Sequence, residues 1–191
     1  MKRELLSTRA RSGFTFIETL IVVALFALMM STLSLLYISF STSTVSQKSL
    51  AESTARATRA AISIHADVSQ AYTLVPSYAF SGTTYFSGPT TLILALPGIG
   101  ASGGALSDVS DHVLYYLSGT DLHRLIEVGA GSSRAAGSKL LDNAVASLSF
   151  TYDSTDFTTV TQVTTNIVNA PGGHTDVHSE ITDISHLINH I

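Results

Sequence analysis

The chain has 191 residues, a formal net charge of −4 at pH 7 and no cysteine, so disulfide scaffolds, thiolate metal sites and cysteine nucleophiles are all excluded. Its length suits one domain plus an anchor. Charge is divided unevenly: Lys2, Arg3, Arg9 and Arg11 against Glu4 give residues 1–13 a net of +3, which leaves −7 for residues 14–191. An acidic body of that kind lacks the clustered Lys and Arg of a nucleic-acid surface.

From Phe14 to Phe40 the sequence is apolar, with Glu18 its one ionisable carboxylate. As helix, residues 14–40 extend ~40 Å, enough to cross a hydrocarbon core of ~30 Å. A cleaved secretory signal fits less well, because its apolar region is usually ~7–15 residues long. The basic residues before Phe14 place that end on the cytoplasmic side by the positive-inside rule, and everything after Phe40 outside the cytoplasm. Glu18 separates this segment from a generic signal anchor. An acidic side chain near the middle of a membrane helix costs ~2.5–3.5 kcal/mol on insertion scales, and less toward the ends. A carboxylate held there calls for a partner, and the α-ammonium of an adjacent subunit would supply one.

Arg11-Ser12-Gly13-Phe14-Thr15-Phe16-Ile17-Glu18-Thr19-Leu20 resembles the processing site of type IV pilins and type II secretion pseudopilins. The resemblance implies a leader, residues 1–13, removed by a prepilin peptidase that cuts after Gly13. It further implies methylation of the new Phe14 amine, and a role for Glu18 in subunit register during assembly. Other subunits of the filament, an inner-membrane assembly platform and membrane lipid are the partners implied; nucleic acid, cofactor and metal are not. Many major pilins carry a helix-bending proline in this tract, whereas no proline occurs between Phe14 and Val75.

Residues 41–75 read as a soluble continuation of the helix. Ala57, Ala61, Ile64, Val68 and Ala71 recur at steps of four and three, giving one apolar face for a core. Lys48, Glu52 and Arg56 stand at successive i,i+4 positions on a solvent face. Pro76 and the residues before it mark the expected end of the helix.

Residues 76–191 read as an exported antiparallel β domain. Thr91–Leu96 is a strand candidate stopped by Pro97-Gly98, and a loop follows to about Asp111. His112–Leu117 and Leu122–Val128 flank a four-residue connection, Ser118-Gly119-Thr120-Asp121, as in a hairpin. Gly129–Ser138 reads as a loop. Val145–Tyr152 alternates as a half-buried strand, and Phe157–Val168 is a further Thr/Val-rich strand. His174–Ile191 fits either an irregular strand or a short helix. One helix on one antiparallel sheet is an α+β arrangement, which agrees with the pilin fold implied by the leader.

His112–Arg124 and Leu140–Asp153 are similar to a hairpin and following strand of the J-type minor pseudopilins, a pattern shared with W-type minor pilins. That resemblance implies a subunit that primes or caps a periplasmic pseudopilus. The ending Ser185-His-Leu-Ile-Asn-His-Ile departs from the Arg-Asn ending common in that group. A minor pilin of a type IV or competence pilus is the alternative within the family; a membrane-tethered binding module is the alternative outside it.

His174, His178, His186 and His190 form two i,i+4 pairs, the spacing of zinc ligands on a helix. Pro171-Gly172-Gly173 stands against a helix there, so surface histidines are expected. Asp108, Asp111 and Asp121 fall in or near loops, but Asp108-Val-Ser-Asp111 is too sparse for a calcium loop, and turn capping is the expected role. The chain has neither a Gly-x-Ser-x-Gly elbow nor a His-Glu-x-x-His helix. Gly98-Ile-Gly100-Ala-Ser-Gly103-Gly104 lacks the Lys-Ser/Thr of a P-loop. No catalytic residues are expected.

Overall fold

The computed structural model describes residues 15–170 and 178–188. Among the described residues, helix α1 (Phe16–Val68) is followed by ten strands, and the chain divides at Ser46/Gln47 into two units. The first unit contains the apolar part of α1. By length and composition this helix can cross a membrane. Serine and threonine hydroxyls along it donate to carbonyls one turn back, as Thr32 does to Met29, Ser34 to Met30 and Thr42 to Ile38. Such bonds satisfy hydroxyls that lipid would leave without partners.

The second unit is an α+β body. Strands β1 (Thr73–Leu74), β4 (Thr91–Ile99), β5 (Ala105–Ser118), β6 (Asp121–Glu127) and β7 (Gly137–Asp142) form a five-stranded antiparallel sheet in the order β1-β4-β5-β6-β7. Strands β8 (Val145–Tyr152), β9 (Gln162–Asn169) and β10 (Ser179–His186) form a second sheet, and β2 (Ser77–Phe80) with β3 (Thr83–Phe86) a separate hairpin. Thus three sheets replace the single one expected.

Ala57, Ala61, Ile64, Val68 and Ala71 are all buried, as their spacing requires, together with Ala60 and Ser53. They share one core with Leu92, Leu94 and Leu96 of β4, Val113 and Tyr115 of β5, and Leu148, Phe150, Val163 and Ile167 of the second sheet. On the opposite face of the five-stranded sheet, Phe80, Ile93 and Leu114 form a smaller core, with Tyr78 and Tyr85 packed against it. Strand β4 is therefore apolar on both faces.

Several boundaries differ from expectation for identifiable reasons. The helix ends at Val68 rather than near residue 75. The Ala71 N–H closes on the Asp67 carbonyl, and beyond it Tyr72 and Val75 donate to Ala95 and Ile93, so sheet pairing claims the backbone. Pro97-Gly98 does not stop β4: β1 pairs only as far as Ala95, so Pro97 lies where that side of the strand has no partner, the place a sheet tolerates proline. The β5–β6 connection has two residues, Gly119 and Thr120, not four, because Ser118 pairs with Asp121. Gly119 takes φ of 64°, as the first central position of a type II′ turn requires. In the β2–β3 turn, Ser81 and Gly82 both have positive φ, 48° and 86°, in the manner of type I′.

Residues 157–161 are not strand. Asp156 accepts from the Thr158 N–H and Asp153 from the Thr161 N–H, and such local capture competes with a ladder. The tail segment resolves to a strand, β10, over its described part. The exposed face also departs from the expected charge ladder. Lys48 and Glu52 pair at 3.9 Å, but Arg56 turns inward, with Nε 3.6 Å from Oδ1 of the buried Asp142.

Ile64 is fully buried, whereas Ile62, two residues before it, is 62% exposed. Ile64→Ala should lower stability by about 2–5 kcal/mol; Ile62→Ala should change it by under about 0.5 kcal/mol. Thermal unfolding of the detergent-solubilised variants checks the contrast, and equal losses would contradict the assigned helix face.

Candidate functional site

At the start of α1, Thr15 is the N-cap and Glu18 the third helical residue. The Thr15 N–H donates to Glu18 Oε2 at 2.9 Å, and the Glu18 N–H donates back to Thr15 Oγ1 at 3.3 Å. The Thr15 hydroxyl adds a 3.0 Å bond to the same carboxylate oxygen. This is a capping box, which satisfies two helix donors reciprocally, and the positive end of the helix dipole favours an anion there. Thr15-x-x-Glu18 is the sequence signal for it. The arrangement qualifies the expectation that Glu18 needs a second subunit: one protomer already supplies local hydrogen bonds. Those bonds leave the charge uncompensated, however, so a cation remains a stronger partner than the cap. Gly13 and Phe14 lie outside the described residues, as do His174 and His190.

In the body, the polar groups that sequence inspection singled out take structural places. Asp111 is buried, and accepts from the Gly129 N–H at 2.9 Å, the Ser132 hydroxyl at 2.8 Å and Arg134 Nε at 2.9 Å. Its carboxylate is committed to holding the segment that precedes β7. Asp108 sits exposed with φ of 60°, a left-handed conformation that Asp tolerates better than most residues. Asp121 occupies the closing pair of the β5–β6 hairpin. His186 ends β10, in strand rather than helix. Among the described residues, no three His, Asp or Glu side chains come together as metal ligands.

Among the described residues, serine, histidine and aspartate do meet at Ser185, His65 and Asp183. Asp183 Oδ2 and Ser185 Oγ both lie 3.0 Å from His65 Nδ1, and the Ser185 hydroxyl donates to Asp183 at 2.6 Å. A nucleophile–base relay puts the serine on the imidazole nitrogen opposite the carboxylate. Here both partners share one nitrogen and Ser185 is fully buried. The trio fastens β10 to α1.

The main buried polar network was not visible in the sequence. Arg124 on β6 grips Asp67 on α1 through Nε and one Nη, each at 2.7 Å, and the Tyr115 hydroxyl donates to the same carboxylate. The Ser63 carbonyl lies 3.0 Å from the same hydroxyl and can only share the one proton that Asp67 takes. Burial pushes the Tyr115 hydroxyl up beyond its normal range, and the negative Asp67 beside it pushes the same way, so Tyr115 stays a neutral donor. Burial works against the Arg124 charge, but hydrogen bonds to Asp67 and Tyr115 together with the charge beside it outweigh that effect, and the pKa rises. Asp67 and Arg124 are far apart in the chain and carry no motif; only the register of β5 against β6 brings Tyr115 opposite Arg124.

At the β8–β9 connection, slight burial raises the Asp153 carboxyl. Hydrogen bonds from the Thr161 hydroxyl and from the Gln162 and Thr161 amides outweigh that effect and hold it below its ordinary value.

Residues 8–34 match a family model described as the prokaryotic N-terminal methylation motif. The chain has no match among curated proteins. The motif supports a pilin-like protein carrying a prepilin-type signal, and the apolar helix α1 fits a single-pass anchor.

Two expectations follow. Asp67→Asn strips the charge that Arg124 faces in a low-dielectric site, and should cost about 3–5 kcal/mol in urea unfolding. A loss within ~0.5 kcal/mol would show that the pair is not a determinant of the fold. For Asp153, the folded-state pKa lies below the unfolded one. Its contribution is therefore complete above the unfolded Asp value near pH ~3.9 and is lost as pH falls through the folded value. Asp153→Asn should accordingly be less stable at neutral pH and lose less stability on acidification below pH ~4, read from unfolding midpoints across pH.

Proposed function

We propose that this chain is a structural assembly subunit rather than an enzyme, and more finely a J-type minor pseudopilin that primes or caps the pseudopilus of a type II secretion system. One observation carries the reading: the methylation motif over residues 8–34 coincides with an apolar helix whose first turn presents Glu18. In this reading a prepilin peptidase removes residues 1–13, cutting after Gly13, and methylates Phe14. The helix stays in the cytoplasmic membrane with the body outside the cytoplasm. Glu18 then accepts the α-ammonium of an adjacent subunit in place of, or in addition to, its own Thr15.

The chemistry favours such an exchange. Hydrogen bonds from Thr15 make the carboxylate tolerable in lipid, but only an ammonium neutralises it. Cleavage creates that ammonium, so a subunit becomes a competent partner only once processed. Support for the finer assignment is the likeness of the β5–β6 hairpin and the β7–β8 region to the J-type pattern. The same motif serves minor pilins of type IV pili, and a gene neighbourhood encoding secretion rather than pilus components is the outcome that favours the pseudopilus.

Gly13→Leu should leave an unprocessed precursor, seen as an intact leader by mass spectrometry of the amino terminus. Glu18→Gln should mature normally yet enter filaments at least about tenfold less well, the equivalent of ~1.4 kcal/mol. Normal maturation of the first variant would refute the processing claim. Undiminished incorporation of the second would refute the pairing.

A further inference from the structure

At the end of the body nearest Gln47, α1 meets the last residue of β7 and the second sheet through polar groups instead of the apolar contacts that prevail elsewhere. Ser53, Asp142 and Asn169 are all buried, at 0%, 2% and 0% exposure. Asn169 Nδ2 donates to the Ser53 carbonyl at 3.2 Å and to Asp142 Oδ2 at 2.6 Å. Arg56 is one helical turn beyond Ser53, on the same side of α1, and its Nε is 3.6 Å from Asp142 Oδ1. Ser179 faces Asn169 directly across the β9–β10 ladder.

Among the described residues, five buried side-chain atoms have no hydrogen-bond partner in the protein, and four of them belong to this one cluster: Ser53 Oγ, Arg56 Nε, Asn169 Oδ1 and Ser179 Oγ. Burying a polar atom unpaired costs about 1–3 kcal/mol each. A charged contact stretched past 3.5 Å invites a bridging molecule.

We propose that this cluster is a binding site for one buried water molecule, which joins the helix to the second sheet. The donor and acceptor balance identifies the ligand. Arg56 Nε can only donate, Asn169 Oδ1 can only accept, and the two serine hydroxyls can do either. A metal cation would face the Arg56 guanidinium, and an anion would face the Asp142 carboxylate. A small neutral group that both donates and accepts suits each of these atoms chemically, and buried waters typically make about three such bonds. The water accepts from Arg56, donates to Asn169 and bonds the serines with its remaining capacity.

The test uses the full chain in detergent. A crystal structure at a resolution that shows solvent should place a peak within ~3.2 Å of Asn169 Oδ1 and of at least two of the other three atoms. In parallel, water-selective cross-relaxation should reach the Ser53 and Asn169 backbone amides with the sign of a long-lived bound molecule. Direct pairing of these side chains with no solvent peak among them overturns the proposal. So does a cross-relaxation spectrum in which both amides see only bulk water, and a peak with cation-like distances to Asp142 replaces water with a metal. None of these outcomes depends on whether the chain is a pilin-like subunit.

Discussion

The body depends on how closely sheet can approach helix, and that approach is set by short side chains. Ser53, Ala57, Ala60 and Ala61 cover the buried side of α1 with little more than a methyl or hydroxymethyl group each. Leucines and aromatics arriving from β4, β5 and β8, with Val163 and Ile167 from β9, can then pack closely on it. Because two sheets share this one helical face, the bulk sits on the strands and the helix contributes a flat bed. Larger residues there would push both sheets outward at once.

The polar interactions follow from the same close approach. Asp67 lies on the buried side one turn beyond Ile64, and at that depth a lone carboxylate is untenable. Arg124 and Tyr115 reach it from adjacent strands, in a bidentate grip supplemented by a hydroxyl. Asp142 and Asn169 meet the opposite end of the same face. The helix is thus tied by an ion pair near one end of the core and by a hydrogen-bonded cluster near the other. With no cysteine available, such ties do the work that covalent cross-links perform in many exported domains.

The readable parts of the sequence were those in which one local pattern decides the outcome. Ala57-Ala61-Ile64-Val68-Ala71 showed its buried face because helical periodicity needs no distant partner. Val145–Tyr152 announced a strand through its alternation of apolar and small polar residues, and its bounds agree with β8, although the register shifts between Val145 and Ser147. β7 went unread: Gly137-Ser-Lys-Leu-Leu-Asp is exposed over most of its length, so nothing imposes a period of two. Residues 77–86 form a hairpin whose turn residues, Ser81-Gly82, are a weaker signal than Asn-Gly. At the amino terminus, the spacing of Gly13, Phe14 and Glu18 lies within residues 8–34, which match the methylation motif. The capping box is written just as locally, in the Thr15-x-x-Glu18 spacing. Asp67–Arg124 was beyond reach, since a contact between a helix and a strand so far along the chain exists only once topology is known.

Strand β4 carries a consequence of its own. Most half-buried strands are indexed by their two unlike faces, because a slip of one residue would turn the apolar side to water. Leu92, Ile93, Leu94, Ala95 and Leu96 offer no such contrast, since each is buried on one side or the other. Hydrophobicity alone would accept β4 shifted by a single step. Gly98 supplies the missing index: a side chain there would stand 2.7 Å from the Val109 side chain, and the ladder shifts between Pro97 and Ile99. Pro97 and Gly98 thus act as a notch that lets the strand engage β5 in one alignment and no other.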